Sequence, residues 1–292
     1  MKFKAALEIL RPINALMGCL TVLIGILNTR VAISFERLIL NIILGCITYF
    51  FLSGSSMIVN DIYDIEIDKI NRPERPIPRG AITLKQAKYL FCGTLIFGVI
   101  VAIIHSLLFE LGFLNIIVAA FFGFIAWFYA KWGKKSGFFG NIIVSISFSI
   151  GLIYGAILNS SNIPNHIYFF FLTSFLLLLS REVIKGCEDI EGDKEEGVKT
   201  LAIKIGIKKS AYISMSFAIL AIIFFFLTIF TNIMNLLLFS ISMTFGIVVV
   251  FYAVILIMKG NLEKQIFSRV SLMLKIGAFL GLISFLLASV YI

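Results

Sequence analysis

Nine apolar runs of roughly twenty residues each, spread from one end of this 292-residue sequence to the other, leave few folds open. A helix needs about twenty such residues to cross the hydrocarbon of a bilayer. Lipid offers the backbone no hydrogen-bond partner, so each run must satisfy itself as an α-helix. The runs fall at residues 12–29, 38–60, 87–109, 112–130, 138–158, 166–187, 211–231, 236–258 and 270–290. Charged residues make up only 14% of the chain, where a soluble domain has about a quarter. The expected fold class is all-α: a polytopic membrane protein with nine transmembrane helices in a single domain, 1–292. The stretch MKFKAALEILRPINALMGCLTVLIGIL reads as the first span, not a cleaved signal, because its charged region extends to Arg11 and no small-residue cleavage site follows. Cysteines 19, 46, 92 and 187 form no CxxC pair, so neither a disulfide framework nor a zinc site is indicated.

Basic residues give the orientation. With the N-terminus in the cytoplasm, the inner segments hold 23 of the 25 Lys and Arg, and only Arg30 and Arg37 fall outside. The acids divide the same way, 14 inside against Glu36 and Glu110 outside, so the inner face carries the whole net charge of +9. The expectation is a multi-pass protein of the cell membrane, with the N-terminus and the long inner loops cytoplasmic and the C-terminus outside. Surplus cations suit anionic lipid head groups, so membrane lipids are expected partners and nucleic acid is not. Topology accounts for the bases. It does not account for the acids.

Those acids gather in two inner loops, 61–86 after the second span and 188–210 after the sixth. The first opens NDIYDIEIDKINRPERP, and the second is entered through REVIKGCEDIEGDKEEG. Asn60, Asp64 and Asp68, spaced by four, share a face if the second span stays helical past the bilayer, with Asp61 on its flank. Arg181, Lys185, Asp189 and Asp193 repeat that spacing. Asp61 and Asp189 lie 128 residues apart, which suggests a worn repeat of a four-helix unit in two halves, roughly 1–135 and 136–292. Clustered carboxylates repel one another unless cations neutralise them. Hard oxygen ligands beside an amide oxygen suit Mg²⁺, which takes one or two carboxylates and completes its shell with water and phosphate oxygens. Asn60, Asp61, Asp64, Asp68, Asp189 and Asp193 are therefore candidate metal ligands, with Asp64, Asp68 and Asp189 also catalytic candidates. Arg72, Arg75, Arg181, Lys185 and Lys199 are candidates for substrate phosphate, as Arg forks and Lys point charges both bind it. Metal, acid and base together describe a diphosphate site. The competing reading is a pair of solvated helix ends with local salt bridges.

Pro73, Pro76 and Pro78 in NRPERPIPRG predict an extended, Arg-bearing loop, either a lid or a plain connector. WFYAKWGKKSG, at the inner end of the fourth span, places Trp127 and Trp132 in an interfacial aromatic belt. Tyr129 and Lys134 share the depth of the acids and are site candidates, Tyr129 catalytic and Lys134 for phosphate. Arg11 and Asn14 open the first span on this face, for anchoring or for substrate binding. His105 and His166 fall on the outer face, and Cys187 reads as packing. The chemistry expected is metal-driven bond breaking, with Lys185 as a further catalytic candidate, and not a nucleophilic triad.

These residues resemble the UbiA-type intramembrane prenyltransferases. The family's first motif, NDxxDxxxD, is matched in full by Asn60, Asp61, Asp64 and Asp68. Its second, DxxxD followed by a glycine, is matched by Asp189, Asp193 and Gly197, and a Tyr and Lys after the fourth helix by Tyr129 and Lys134. The resemblance covers essentially the whole chain. It implies nine helices around a central cavity with caps on the cytoplasmic side. It also implies a Mg²⁺ cofactor, two ions gripping the diphosphate of a polyprenyl diphosphate donor, and an apolar chamber for the allylic cation. REVIKGCEDIEGD is most similar to the archaeal ether-lipid branch, which implies geranylgeranyl transfer to a lipid phosphate acceptor, geranylgeranylglyceryl phosphate. An aromatic quinone precursor is the alternative acceptor.

Two other classes fit less well. A transporter places polar or broken helices near the midplane, whereas these acids cluster at helix ends, although Asn141, Ser145, Ser147 and Ser149 are candidate cavity residues. A CDP-alcohol phosphotransferase would need a DG and AR motif that the sequence lacks. The topology makes a direct prediction. Cysteines introduced near Asn71, Lys135, Lys194 and Lys264 label from the cytoplasmic side, and labelling of any two from opposite sides overturns the nine-span arrangement.

Overall fold

The computed structural model of the chain describes residues 3–31, 33–133, 136–160, 162–195, 197–259 and 262–290. The first span is bent: α1 (Phe3–Leu10) and α2 (Pro12–Leu27) meet at 47°. Pro12 has no N–H to continue α1 and serves instead as the first residue of α2. Arg11, at the bend, is left-handed with φ 46° and ψ 62°. α3 (Phe35–Tyr63) is 29 residues long. At 1.5 Å per residue it measures about 43 Å, more than the hydrocarbon thickness, so its last turns extend past the apolar layer. The short α4 (Ile65–Asn71) follows. The remaining spans are α5 (Leu84–Phe109), α6 (Gly112–Phe128) with its π-helical end Tyr129–Gly133, α7 (Phe138–Ile157) and α8 (Asn165–Glu188). After two short helices, α9 (Ile190–Glu195) and α10 (Leu201–Ile205), come α11 (Ile207–Leu227), α12 (Leu236–Lys259) and α13 (Lys264–Leu287). Eight helices of the described residues are long and apolar enough to span a membrane, and the bent α1–α2 pair makes nine.

Six helices, α2, α3, α6, α7, α8 and α13, wall a central chamber of about 770 Å³. The other three stand outside the ring, α5 against α3, α11 against α8 and α12 against α13. Their outer faces expose Leu107, Phe226, Phe245 and Phe251, as lipid-facing surfaces do. Close helix approach in a membrane depends on small residues. At the α2–α7 crossing a Cβ on Gly25 would stand 2.2 Å from the Leu152 carbonyl oxygen, and one on Gly155 2.1 Å from that of Val22. Gly151, one turn before Gly155, faces Thr21 Oγ1 at 2.0 Å by the same construction.

The end opposite the acidic motifs is closed by buried amides. Asn41 Nδ2 donates to the Leu158 carbonyl at 3.0 Å and to Asn159 Oδ1 at 2.8 Å. Asn159 Nδ2 donates in turn to the Ile26 carbonyl at 2.8 Å, and Asn28 Nδ2 to that of Phe285 at 2.9 Å. His105 and His166 belong to this belt, paired with Asn41 Oδ1 and the Asn28 carbonyl. Arg30 and Arg37, the two exceptions to the charge bias, bond the last carbonyls of helices: Leu27 and Ser289 for Arg30, Phe109 for Arg37. A cation at a helix C-terminus meets both orphan oxygens and the negative end of the dipole.

The proline segment corrects one expectation. Residues 72–82 are not extended. They form successive turns, with Arg75 N bonding the Arg72 carbonyl at 3.0 Å and Arg79 N that of Arg75 at 3.1 Å. Ile77 and Ile82 are buried against Ala5, Ile9, Leu10 and Ile58, and the Arg79–Glu8 ion pair at 2.6 Å ties the segment to α1. Apolar anchoring makes the segment part of the cap in this structure, as the connector reading expects. The glycine crossing predicts an asymmetric outcome. Gly155→Val forces two backbones apart and lowers the melting temperature in detergent, by a destabilisation of about 1–3 kcal/mol or more. Gly93→Ala, where a new Cβ meets nothing within 4 Å, is neutral or stabilising.

Candidate functional site

The first motif begins inside α3 and passes through a break. Asp64 leaves helical geometry at φ −91° and ψ 5°, yet the i to i+4 ladder runs on. Asp64 N bonds the Asn60 carbonyl at 3.0 Å, Asp68 N that of Asp64 at 2.8 Å and Arg72 N that of Asp68 at 2.9 Å. The bend therefore keeps Asn60, Asp64 and Asp68 in register. Asp61, Asp64 and Asp68 are all buried. Asn60 Nδ2 donates to Asp64 Oδ2 at 3.1 Å, which leaves Asn60 Oδ1 buried with no hydrogen-bond partner.

Arginine occupies the flank. Arg11 Nη2 and Arg75 Nη1 both bond Asp61 Oδ1, Arg75 at 3.2 Å, and Arg75 also bonds Asp68 Oδ2 at 2.5 Å. Arg11 and Arg75, expected on substrate phosphate, are here turned to carboxylates, and Asp61, expected on a metal, is turned to arginine. A buried carboxylate with two guanidinium partners is already neutralised.

The second motif repeats the construction at the end of α8. Asp189 N bonds the Lys185 carbonyl and Asp193 N that of Asp189, each at 2.9 Å. This cluster is more open: Asp189 and Lys199 are exposed, and Asp193 and Lys185 half-buried. Arg72 is exposed. Lys134 lies outside the described residues.

Of the expected site residues, the chamber wall brings together Asn14, Asn60, Tyr129 and Arg181. Tyr129 also lies within electrostatic reach of Glu182 and Asp64, so it stands between the first motif and α8. None of the motif carboxylates Asp61, Asp64, Asp68, Asp189 and Asp193 lines the chamber. Of the candidate cavity residues on α7, Ser147 does, while Ser145 and Ser149 are buried in packing. Trp127 and Trp132 meet edge to face at 5.2 Å with the Lys131 ammonium 4.2 Å from the Trp132 ring, an arrangement suited to the interfacial belt. Cys187 packs in the apolar core of α8 and α11.

Two charged wall residues, Glu182 and Lys275, are not among the residues the sequence points to. Glu182 is ion-paired with Arg181 at 3.1 Å. Its signal was position alone, next to a residue already chosen. Lys275 had a clearer one: it is a charge inside the last apolar run, and ionisable residues within spans mark function. Most of the remaining wall is apolar or aromatic, with Met17, Leu52, Phe122, Ile125, Ile143 and Phe148 from four helices.

Among the described residues no three His, Cys, Asp or Glu side chains converge as a closed metal site. An open one fits. The unpartnered Asn60 Oδ1 beside Asp64 is a hard-oxygen pair of the kind that Mg²⁺ takes when water and phosphate supply the rest.

Comparison with known proteins agrees with this architecture. A family model described as the UbiA prenyltransferase family matches residues 17–274. A digeranylgeranylglyceryl phosphate synthase of Korarchaeum cryptofilum is 32% identical over 286 residues, covering 98% of this chain and 97% of that protein. Its counterpart in Thermococcus kodakarensis is 35% identical over 293 residues, covering 99% of each. A solved structure described as giving structural and mechanistic insights into digeranylgeranylglyceryl phosphate synthase in membranes aligns with a TM-score of 0.82 at 31% identity, over 98% of each chain. A UbiA homolog from Archaeoglobus fulgidus, solved with GPP and Mg²⁺, shares the fold alone, with a TM-score of 0.70 at 16% identity over 96% of this chain and 99% of that one. Matched by the family model over most of its length and by full-length relatives above 30% identity, this chain belongs to the UbiA prenyltransferase family.

Proposed function

We propose that the protein transfers a geranylgeranyl group from geranylgeranyl diphosphate to the free hydroxyl of geranylgeranylglyceryl phosphate, releasing diphosphate in a Mg²⁺-dependent reaction of ether-lipid synthesis. One observation carries the reading: an apolar chamber walled by six membrane helices, with a buried, unpartnered amide oxygen on its rim beside an aspartate cluster. The names of the full-length relatives support the choice of acceptor. The concentration of basic residues around the motif end supports a cytoplasmic position for it.

Asn60, Asp64 and Asp68 would hold one of two Mg²⁺ ions on the diphosphate, and Asp189 and Asp193 the other. Bound there, Mg²⁺ supplies the charge that stabilises the leaving diphosphate. The protein's own part begins with preorganisation. Asp61, fixed by Arg11 and Arg75, holds the end of α3 so that Asn60 and Asp64 need not reorganise as charge develops. The apolar wall excludes water that would capture an allylic cation. Tyr49, Phe122 and Phe148 offer aromatic faces to that cation. As the acceptor oxygen bonds the allylic carbon, its hydroxyl proton needs a base, and the Glu182 carboxylate in the wall is placed to take it.

Activity should disappear with a chelator and return with Mg²⁺; full turnover in chelator would rule the metal out. Asp64→Ala or Asp189→Ala should lower kcat about a hundredfold or more while the protein still inserts and melts close to wild type. Asp61→Ala should behave differently. It strands the Arg11 guanidinium, leaves Arg75 with Asp68 alone, and should cost about 3 kcal/mol or more of stability along with activity. Near-normal rates for Asp64→Ala and Asp189→Ala would reduce the motifs to solvated helix ends. Transfer to 4-hydroxybenzoate but not to geranylgeranylglyceryl phosphate would replace the lipid acceptor with an aromatic one.

A further inference from the structure

α13 presents one face to the chamber, formed by Leu272, Lys275, Ile276 and Phe279 at i, i+3, i+4 and i+7. Its other face, with Val270, Leu274 and Gly277, packs into the protein. Lys275 is exposed on the chamber face and lies five residues into the apolar run that begins at 270, so its backbone sits about 8 Å along the helix from the edge of that run. An ammonium at that depth is costly unless it meets an anion or reaches the interface. Lys275 makes no ion pair among the described residues. The other cation of the wall, Arg181, is half satisfied: Nη1 bonds Glu182 at 3.1 Å, while Nε is buried without a partner. With Glu182 set against Arg181, the chamber retains one uncompensated positive charge and one unused guanidinium donor.

The diphosphate has its cations elsewhere, at the motif ends of α3 and α8. Arg181 stands seven residues back from the end of α8, about 10 Å deeper along the helix. A second anion, inside the chamber, is what these groups lack. We propose that Lys275 Nζ and Arg181 Nε form the subsite for the acceptor's phosphate monoester, separate from the diphosphate site and deeper in the membrane. The proposal rests on the lipid phosphate acceptor argued above. In geranylgeranylglyceryl phosphate the reacting hydroxyl and the phosphate are carried on neighbouring carbons of one glycerol. Anchoring the phosphate on α13 and α8 therefore brings the hydroxyl up to the allylic carbon and beside Glu182. Lys275 is then a positioning residue that sets which alcohols are accepted.

The test uses the full chain in nanodiscs, wild type against Lys275→Met and Lys275→Arg, with KM measured separately for donor, phosphorylated acceptor and the dephosphorylated alcohol. Lys275→Met should raise KM for the phosphorylated acceptor about tenfold to a hundredfold, the range of a charge-assisted hydrogen bond, and Lys275→Arg should recover most of it. Donor KM and the kinetics with the alcohol should stay close to wild type. A rise in donor KM in place of acceptor KM would assign the lysine to the diphosphate and overturn the subsite. An unchanged preference for phosphate over alcohol would leave Lys275 as a side chain that merely reaches to the interface. A wild type that prenylates only aromatic acids would sink the acceptor reading itself. Binding then decides the subsite separately: without donor, geranylgeranylglyceryl phosphate but not its alcohol should raise the melting temperature of wild type and leave Lys275→Met unmoved, and equal shifts in both proteins would overturn it.

Discussion

Asp61 is the point on which the motif end of this protein is assembled. One of its oxygens accepts from two guanidiniums, Arg11 at the α1–α2 bend and Arg75 in the turns after α4. Arg75 goes on to Asp68, so four side chains, from α3, α4, the α1–α2 bend and the turns after α4, share one network. Burying a carboxylate costs several kcal/mol unless it is paired, and the pairing here joins the segments. Asn60 and Asp64, on either side of Asp61, inherit fixed positions. The motif face is thus held in place by ion pairs between Asp61, Asp68 and two arginines.

The two ends of the bundle solve the same problem differently. At the motif end, charge is concentrated and partly open, as a polyanion requires. At the opposite end, Asn41, Asn159, Asn28 and the two histidines pair with helix carbonyls and with one another, and form a neutral, buried brace. Between them the chamber is mostly apolar, with polar groups few and local. A prenyl chain gains there from burial, and a developing cation meets little water. The reaction belongs in a membrane because the fold continues the solvent of its substrate into its own interior.

How much of this was legible in the sequence depends on how local each feature is. The spans were readable because hydropathy and helix length are properties of single segments, and the boundaries of α7 and α12 fall within a residue of the expected 138–158 and 236–258. The register of Asn60, Asp64 and Asp68 was readable because four-residue spacing is the helix repeat, and it persists through the break at Asp64. What failed to show was partnership. Nothing near Asp61 in the sequence announces Arg11, fifty residues earlier, and without that contact the aspartate looks like any other ligand of the motif. The proline segment departs from expectation for a related reason. Three prolines exclude a helix, but they do not distinguish an extended strand of loop from turns pinned by Ile77 and Ile82, whose partners lie on α1 and α3.

Arg11 illustrates what such a junction demands of its residue. The bend needs a left-handed backbone, which costs a side-chain-bearing residue about 1–2 kcal/mol and glycine almost nothing. The same position needs a long, planar, permanently charged fork to reach Asp61. Glycine meets the first demand and fails the second; lysine keeps a charge, loses the fork and keeps the strain. No amino acid in the natural alphabet satisfies both better than the one present. A library that randomises the N-terminal segment should therefore recover almost nothing but arginine at this residue, and chimaeras that exchange α1 between relatives need their splice point on the far side of it.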